Sequence, residues 1–218
     1  VLVLADGMGG YTGGELASRA AVEGCSRAFE RKSGLPGERM KAAVTAANEQ
    51  VWSARKKRGE DDEMGTTLVA AWIGADGLRW VSVGDSLLLL IREEKMFLLN
   101  ELHQYSAELG RMADEGIISQ EEALSHPARH SLTSALMGKE VPLVDLREEC
   151  FPLFPGDRVL VASDGVGPYL DSLGPAGMRY LSMLSAEELV RSVLDGINRD
   201  GAPNQDNATL ICAEIARA

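Results

Sequence analysis

The chain has 218 residues, which is enough for one large domain or two small ones with an ample hydrophobic core. Its 33 acidic and 22 basic residues give a net charge of −11 at pH 7. This balance argues against binding to nucleic acid or to an anionic membrane surface, and it suits a protein that holds cations.

No membrane span is predicted, because no apolar run approaches the about 18 residues that one needs. No signal peptide is visible either. The three cysteines (Cys25, Cys150 and Cys212) are scattered and form no C-x-x-C pair. We therefore expect reduced thiols and a cytoplasmic protein. The sequence starts at Val1, inside an apolar run that is typical of a core strand. We expect that run to pair with a preceding strand that this sequence lacks.

Two helices are predicted in the first part of the chain. Small residues recur at helical spacing over residues 13–32, and such a stripe lets a helix lie close against a sheet. After a break at residues 33–37, apolar residues keep the helical period to about residue 58. An acidic loop follows at residues 60–63.

The next part of the chain predicts four strands, at residues 67–73, 78–83, 87–91 and 96–99. Short turns rich in glycine and acidic residues separate these apolar runs. Such connections favour an antiparallel meander. The near-continuous apolar character of the runs indicates cover on both faces, by helices on one side and a second sheet on the other.

Residues 101–147 interrupt this pattern, because they are polar and have few β-branched side chains. Helical patches at 105–115 and 119–124 are predicted, the second opened by a capping box of Ser119 and Glu122. We interpret the segment as an insertion over an edge of the sheets, within a single domain of residues 1–218.

Strand patterns return at residues 158–163 and again at 208–215, at the end of the chain. Between them, Ser185 and Glu188 form a capping box that opens an amphipathic helix. With the earlier elements, this gives a chain of mixed helices and mainly antiparallel strands.

Four aspartates share one context, at the ends of predicted strands. Asp6 and Asp164 follow apolar runs and precede glycine, Asp85 lies in a Gly-Asp-Ser turn, and Asp206 precedes the last strand. Each alone is also typical of an ordinary turn. Together at one edge of packed sheets they would repel and raise one another's pKa. Divalent cations resolve that repulsion, and all-oxygen ligation suits Mg²⁺ or Mn²⁺.

The aspartates lie within short segments whose order carries further information. These segments are residues 5–10 (Ala-Asp-Gly-Met-Gly-Gly), 65–67 (Gly-Thr-Thr), 83–86 (Val-Gly-Asp-Ser), 162–165 (Ala-Ser-Asp-Gly) and 205–207 (Gln-Asp-Asn). In this order they resemble the motifs of the metal-dependent protein serine/threonine phosphatases of type 2C, the PPM family, in its bacterial form.

The resemblance implies an α+β fold: a four-layer α-β-β-α sandwich of two mainly antiparallel sheets flanked by helix pairs. It implies metal-dependent hydrolysis of phosphoserine and phosphothreonine in proteins by a metal-activated water. Two Mn²⁺ or Mg²⁺ ions would be bound, with a third at a weaker site. The partners would be phosphorylated proteins, among them a serine/threonine kinase and its substrates.

The catalytic residues follow from the same resemblance. Asp6 would bridge the two ions, and Gly7 would give its backbone carbonyl to one of them. Asp164 and Asp206 would complete the other.

The weaker third site would use Asp85 together with Asp164. Asn207 would orient Asp206 or a bound water. Residues 101–147 resemble the family's mobile flap, which influences substrate access.

Some positions depart from the family pattern. An Arg that holds the phosphate and an acidic metal ligand normally precede the first strand, and neither is in this sequence. Met8 stands where many eukaryotic members have His, and Leu87 where Arg is common. Two alternatives therefore stay open: a binding or regulatory module on the same fold without turnover, and a phosphatase of small phosphate esters.

Overall fold

The structure is a computed structural model that describes residues 1–30, 34–58, 64–203 and 205–216, with the backbone alone at residues 10, 11 and 58. The predicted acidic loop at 60–63 lies outside the described residues. The strands are β1 (Leu2–Leu4), β2 (Gly7–Met8), β3 (Gly65–Thr66), β4 (Leu68–Gly74), β5 (Gly77–Val83), β6 (Leu87–Arg92), β7 (Lys95–Leu98), β8 (Asp145–Phe151), β9 (Arg158–Ala162) and β10 (Leu210–Glu214). The helices are α1 (Gly10–Glu30), α2 (Pro36–Arg58), α3 (Tyr105–Asp114), α4 (Gln120–Ser125), α5 (Gly167–Ser172), α6 (Pro175–Met183) and α7 (Ala186–Asp200).

The strands form two four-stranded sheets and a two-stranded ribbon. The first sheet has the order β1-β4-β5-β8, and the second has the order β10-β9-β6-β7. Every strand pairing in both sheets is antiparallel. The ribbon joins β2 to β3, with Gly7 opposite Thr66. No helix in the described part of the chain is long and apolar enough to cross a membrane.

Alternation along the strands explains how the two sheets are buried. In β4, Val69 and Ala71 face the second sheet, where they join a core with Leu88 and Val159. The intervening residue Ala70 belongs to a separate core with the two N-terminal helices. Because successive side chains of a strand point to opposite faces, one apolar run fills two cores.

Helices cover the outer face of each sheet. The helices α1 and α2 pack on the first sheet through a core that includes Ala17, Ala21 and Met40. The helices α5, α6 and α7 pack on the second through a core that includes Leu170, Leu181 and Leu189. The predicted α-β-β-α sandwich is therefore confirmed.

The predicted meander is wrong at its centre, because β5 and β6 belong to different sheets. The turn at residues 84–86 carries the chain from one sheet to the other. Gly84 has a φ of +97°, and a Cβ there would lie 2.7 Å from Thr67 Cγ2. The short turn suggests a hairpin from sequence, whereas its left-handed glycine and the packed Thr67 redirect the chain.

Strand β8 was not predicted, because Asp145–Phe151 is polar and mostly half-exposed at the edge of the first sheet. Residues 145–147 of the predicted insertion belong to this strand. The two capping boxes do form as predicted: the hydroxyls of Ser119 and Ser185 accept the backbone N–H groups of Glu122 and Glu188.

Candidate metal centre

Asp6 follows β1, and its backbone is fixed by the Thr-Thr pair that starts the neighbouring strand. The Asp6 N–H donates to Thr67 Oγ1 at 2.9 Å. The Asp6 carbonyl accepts the Thr67 N–H at 2.9 Å and the Thr66 hydroxyl at 2.8 Å. These three bonds hold the Asp6 side chain at the common end of both sheets.

The glycines after Asp6 allow α1 to begin directly against the ribbon. A Cβ on Gly7 would lie 2.0 Å from the Gly14 carbonyl oxygen, and one on Gly14 would lie 2.7 Å from Gly7 C. Real Cβ atoms do not approach backbone that closely, so only glycine fits at both positions. The close approach keeps the Gly7 backbone beside Asp6.

Asp164 follows β9 in the second sheet and starts a single 3₁₀ turn. The preceding Ser163 is paired with Thr209 by two bonds: the Ser163 N–H donates to the Thr209 carbonyl and the Thr209 N–H donates to Ser163 Oγ, each at 3.0 Å. The following Gly165 packs so tightly that a Cβ would lie 2.5 Å from the Asn207 carbonyl oxygen. The loop with Asp164 and the loop before β10 therefore form one unit.

Asp206 lies in that second loop and is exposed. Its Oδ1 accepts the backbone N–H of Asn207 at 2.7 Å. The neighbouring Gln205 side chain donates to the Gly165 carbonyl at 2.9 Å, which ties the loops together a second time. Asp206 is thus held on the Asp164 side of the cluster.

The carboxyl groups of Asp6 and Asp164 contact each other, and both residues are partly buried. Burial, followed by the charges of Asp164 and Asp206, raises the pKa of Asp6 to about 7. Burial also raises the pKa of Asp164, with the charges of Asp85 and Asp206 adding to the effect. This contact raises the pKa of Asp6 and lowers that of Asp164.

Asp85 lies in the turn between the sheets and is 7% exposed. Its Oδ2 accepts a hydrogen bond from Gln104 Nε2 at 2.8 Å. The next residue, Ser86, places its hydroxyl 2.7 Å from the Thr67 hydroxyl. The turn with Asp85 is therefore connected directly to the residue that fixes Asp6.

The chemistry of this cluster fits divalent cations. Asp164 Oδ1 is buried and has no hydrogen-bond donor. A buried acceptor without a partner costs free energy, and a cation would satisfy it. The available donors are all oxygens, which Mg²⁺ and Mn²⁺ prefer.

The spacing of the cluster carboxylates decides how many of them could surround one ion. Within residues 1–30, 34–58, 64–203 and 205–216, no three or more His, Cys, Asp or Glu side chains lie close enough to enclose one ion. The ligand roles predicted for Asp6, Gly7, Asp85, Asp164 and Asp206, and the orienting role of Asn207, therefore stay predictions.

Sequence reasoning gave no role to several polar residues that support the cluster. Asn100 is buried, accepts the Leu88 N–H at 2.7 Å and donates to the Ser86 carbonyl at 2.9 Å, which fixes the turn with Asp85. The Thr67 hydroxyl accepts the Asp6 N–H, and the Gln104 amide donates to Asp85. Only Thr67 lay within a segment that carried the family resemblance; nothing in the sequence pattern distinguishes Asn100 or Gln104.

Comparison with known proteins assigns the cluster to a family. The profile described as protein phosphatase 2C matches residues 1–197. The chain belongs to the protein phosphatase 2C family. The predicted resemblance to bacterial type 2C phosphatases is thereby confirmed.

Individual relatives are similar along nearly the whole chain. The serine/threonine protein phosphatase PstP of Mycobacterium tuberculosis is 32% identical over 220 residues, which cover 99% of this chain and 40% of that protein. The crystal structure of M. tuberculosis PstP/Ppp has a TM-score of 0.79 at 30% identity, with 99% of this chain and 88% of that chain covered. The chain thus spans about 40% of the length of the curated PstP relative.

A second structural relative contains metal ions. It is the catalytic domain of the serine/threonine protein phosphatase PstP in complex with two manganese ions. Its TM-score is 0.75 at 29% identity, and the match covers 99% of this chain and 87% of that chain.

Proposed function

We propose that this chain catalyses metal-dependent hydrolysis of phosphoserine and phosphothreonine in proteins. The observation that carries the proposal is the Asp6–Asp164 pair, which joins the ends of the two sheets and leaves a buried Asp164 oxygen without a donor. Two partly buried carboxyl groups this close together lower the stability of the fold when no cation is bound. It becomes favourable when it binds cations, and membership of the protein phosphatase 2C family supports this reading.

The residues that would hold two Mn²⁺ or Mg²⁺ ions are Asp6, the Gly7 carbonyl, Asp164 and Asp206. A relative in complex with two manganese ions supports the number and the class of metal. Asp85 and Asp164 would hold a third ion more weakly. When bound, the cations would activate a water and offset the negative charge of the phosphoryl oxygens.

The chain's own residues set the protonation and position of this cluster. Burial and the neighbouring aspartates raise the pKa of Asp6 to about 7, and its carboxyl group has to be ionised before it can ligate a cation. Thr66 and Thr67 keep the Asp6 backbone fixed while its side chain changes partner. We assign Asn207 the role of orienting Asp206, to which its backbone N–H already donates.

Residues 101–147 would act as a flap that controls access to the cluster. Three contacts support this role: Gln104 contacts Asp85, His103 contacts Gly84, and Leu136 pairs with Thr66 beside Asp6. The segment therefore contacts both the turn with Asp85 and the strand beside Asp6. Its helices α3 and α4 bury only Leu109 and Ala123 fully.

The proposed substrates are phosphorylated proteins, and the proposed partners are a serine/threonine kinase and its targets. The compartment we propose is the cytoplasm, which the three free thiols support. The name of PstP, a serine/threonine protein phosphatase, supports the substrate class.

Phosphate release from a phosphothreonine peptide, a phosphoserine peptide and p-nitrophenyl phosphate tests the proposal. We expect all three to be hydrolysed with Mn²⁺ and none with EDTA, with higher kcat/KM for the peptides. Hydrolysis of small esters alone would support the small-ester alternative. Mn²⁺ binding without hydrolysis of any substrate would support the binding module and contradict the proposal.

A further inference from the structure

The amide of Gln104 makes a direct hydrogen bond to one of the cluster aspartates. Gln104 Nε2 donates to Asp85 Oδ2 at 2.8 Å. Asp85 is 7% exposed, and Gln104 is half-buried. A hydrogen bond to a buried carboxylate is charge-assisted and stronger than a neutral one. The contact therefore constrains where the Asp85 carboxylate points.

The backbone beneath Gln104 is fixed on both sides. Next to it, the buried His103 donates its N–H to the Gly84 carbonyl at 2.9 Å and accepts the Gly84 N–H on Nδ1 at 3.0 Å. Gln104 itself pairs with Leu132 in an antiparallel bridge. The Thr133 N–H donates to the His103 carbonyl at 2.9 Å. The base of the insertion is thus joined to the turn that carries Asp85.

The Asp85 carboxylate has enough acceptor positions to contact both Gln104 and a cation. An ionised carboxylate offers two oxygens with about four acceptor positions in all. The bond from Gln104 uses one of them on Oδ2. The remaining positions can face the other aspartates, because the neighbouring Ser86 hydroxyl lies 2.7 Å from the Thr67 hydroxyl that accepts the Asp6 N–H. Gln104 and a cation can therefore contact Asp85 at the same time.

We propose that Gln104 is a positioning residue that orients Asp85 toward Asp164 and couples residues 101–147 to cation binding there. The inference rests on the proposed function, because it takes Asp85 as a ligand of the weakest ion. Since coupling between two sites is reciprocal, cation binding at Asp85 stabilises the base of the insertion to the same extent. Groups that orient metal ligands typically change metal affinity about 10- to 100-fold when they are removed.

Titration of the full chain with Mn²⁺, followed by the electron paramagnetic resonance signal of free Mn²⁺, tests this proposal. We expect Gln104→Ala and Gln104→Met to weaken the weakest binding event about 10-fold or more and to leave tighter events unchanged. Gln104→Met keeps the length and approximate volume of the side chain and removes the donor. Asp85→Ala should abolish the same event.

Gln120→Ala is the matched control, because Gln120 lies in the same insertion and contacts the exposed Asp114 at 3.4 Å. We expect its Mn²⁺ titration to equal that of the wild type. Hydrogen exchange gives a second readout: Mn²⁺ should slow exchange of the His103 and Thr133 amides in the wild type and in Gln120→Ala. At the Mn²⁺ concentration that saturates the wild type, this protection should be reduced in both Gln104 variants and absent from Asp85→Ala.

Three results would overturn the proposal: unchanged binding events in both Gln104 variants, equal weakening of every event, or an intact weakest event in Asp85→Ala. Hydrolysis by the wild type separates this inference from the proposed function. If the wild type hydrolyses none of the phosphate esters but Gln104 controls the weakest Mn²⁺ event, the proposed function fails and the positioning role stands. If hydrolysis requires Mn²⁺ but the Gln104 variants bind Mn²⁺ normally, the proposed function stands and the positioning role fails.

Discussion

Thr67 and Asp6 hold each other by two hydrogen bonds of 2.9 Å, one from the Thr67 N–H to the Asp6 carbonyl and one from the Asp6 N–H to Thr67 Oγ1. The same hydroxyl lies 2.7 Å from Ser86 Oγ, beside Asp85. One side chain therefore connects the end of the first strand with the turn between the sheets. Its hydroxyl, rather than its apolar part, performs this role.

Thr67→Val should destabilise the protein and disturb the cluster. The substitution keeps the shape of the side chain but leaves the Asp6 N–H and the Ser86 hydroxyl without this partner. We expect a loss of about 1–3 kcal/mol in the free energy of unfolding, measured with urea, together with weaker Mn²⁺ binding. Thr45→Val, at an exposed position of α2, is the control and should change stability far less. Equal stability of the two variants would contradict the role given to Thr67.

The raised pKa of Asp6 predicts how the stability of the metal-free protein depends on pH. The folded protein keeps a proton on Asp6 up to about pH 7, whereas the unfolded chain loses it near the ordinary value of 3.8. Between these values the folded state binds more protons, so the free energy of unfolding falls as pH rises. We expect the Tm in EDTA to decrease across this window. Asp6→Asn should make the decrease shallower, and an unchanged slope would contradict the assignment.

Mn²⁺ should reverse the pH dependence that Asp6 gives to the stability of the protein. A cation requires the ionised carboxylate, so its binding competes with the proton. The Tm gain from Mn²⁺ should therefore be larger at pH 8 than at pH 5 in the wild type. A gain that does not depend on pH would contradict a role for Asp6 as a ligand.

The contact between α1 and α2 predicts a strong effect at Gly24. A Cβ there would lie 2.5 Å from the Ala46 carbonyl oxygen, which is backbone and cannot move aside cheaply. Alanine is the better helix former by about 1 kcal/mol, but we expect the clash to outweigh it and Gly24→Ala to destabilise by about 1–3 kcal/mol. Gly110→Ala in α3 is the control, because nothing lies within 4 Å of its Cβ position. That variant should be neutral or stabilised in the same thermal melt.

The hairpin between β6 and β7 stores local strain. Glu93 and Glu94 both have positive φ, 50° and 63°, a conformation that a two-residue turn of Asn-Gly adopts more easily. Glu93→Asn with Glu94→Gly should raise the free energy of unfolding by about 0.5–1 kcal/mol. The change also removes the exposed ion pair of Glu94 with Arg179, so Arg179→Ala serves as its control. A double variant less stable than Arg179→Ala would contradict this account.

Local rules explain why much of the fold could be predicted. Both capping boxes form where Ser119 and Ser185 precede glutamate by three residues, because this motif depends only on neighbouring residues. Continuous apolar runs likewise predicted strands buried on both faces, as Val69 and Ala70 show by packing into different cores.

Long-range pairing explains what sequence reasoning missed. The turn at residues 84–86 leads into a different sheet, which depends on contacts with Thr67 and Asn100 from elsewhere in the chain. The polar strand β8 is held by its pairing with β5 rather than by its own composition. Gln104 contacts Asp85 across 19 positions, and no spacing rule predicts such a pair.

The Mn²⁺ dependence of phosphate release in Asp164→Asn tests the central claim most directly. The substitution removes the negative charge from the one cluster residue that has a buried oxygen without a donor. We expect hydrolysis of a phosphothreonine peptide to fall at least about 100-fold, while Asp171→Asn on the exposed face of α5 keeps wild-type activity. EDTA should abolish the activity of the wild type. Activity that persists in EDTA, or that survives Asp164→Asn unchanged, would contradict catalysis by cations bound between Asp6 and Asp164.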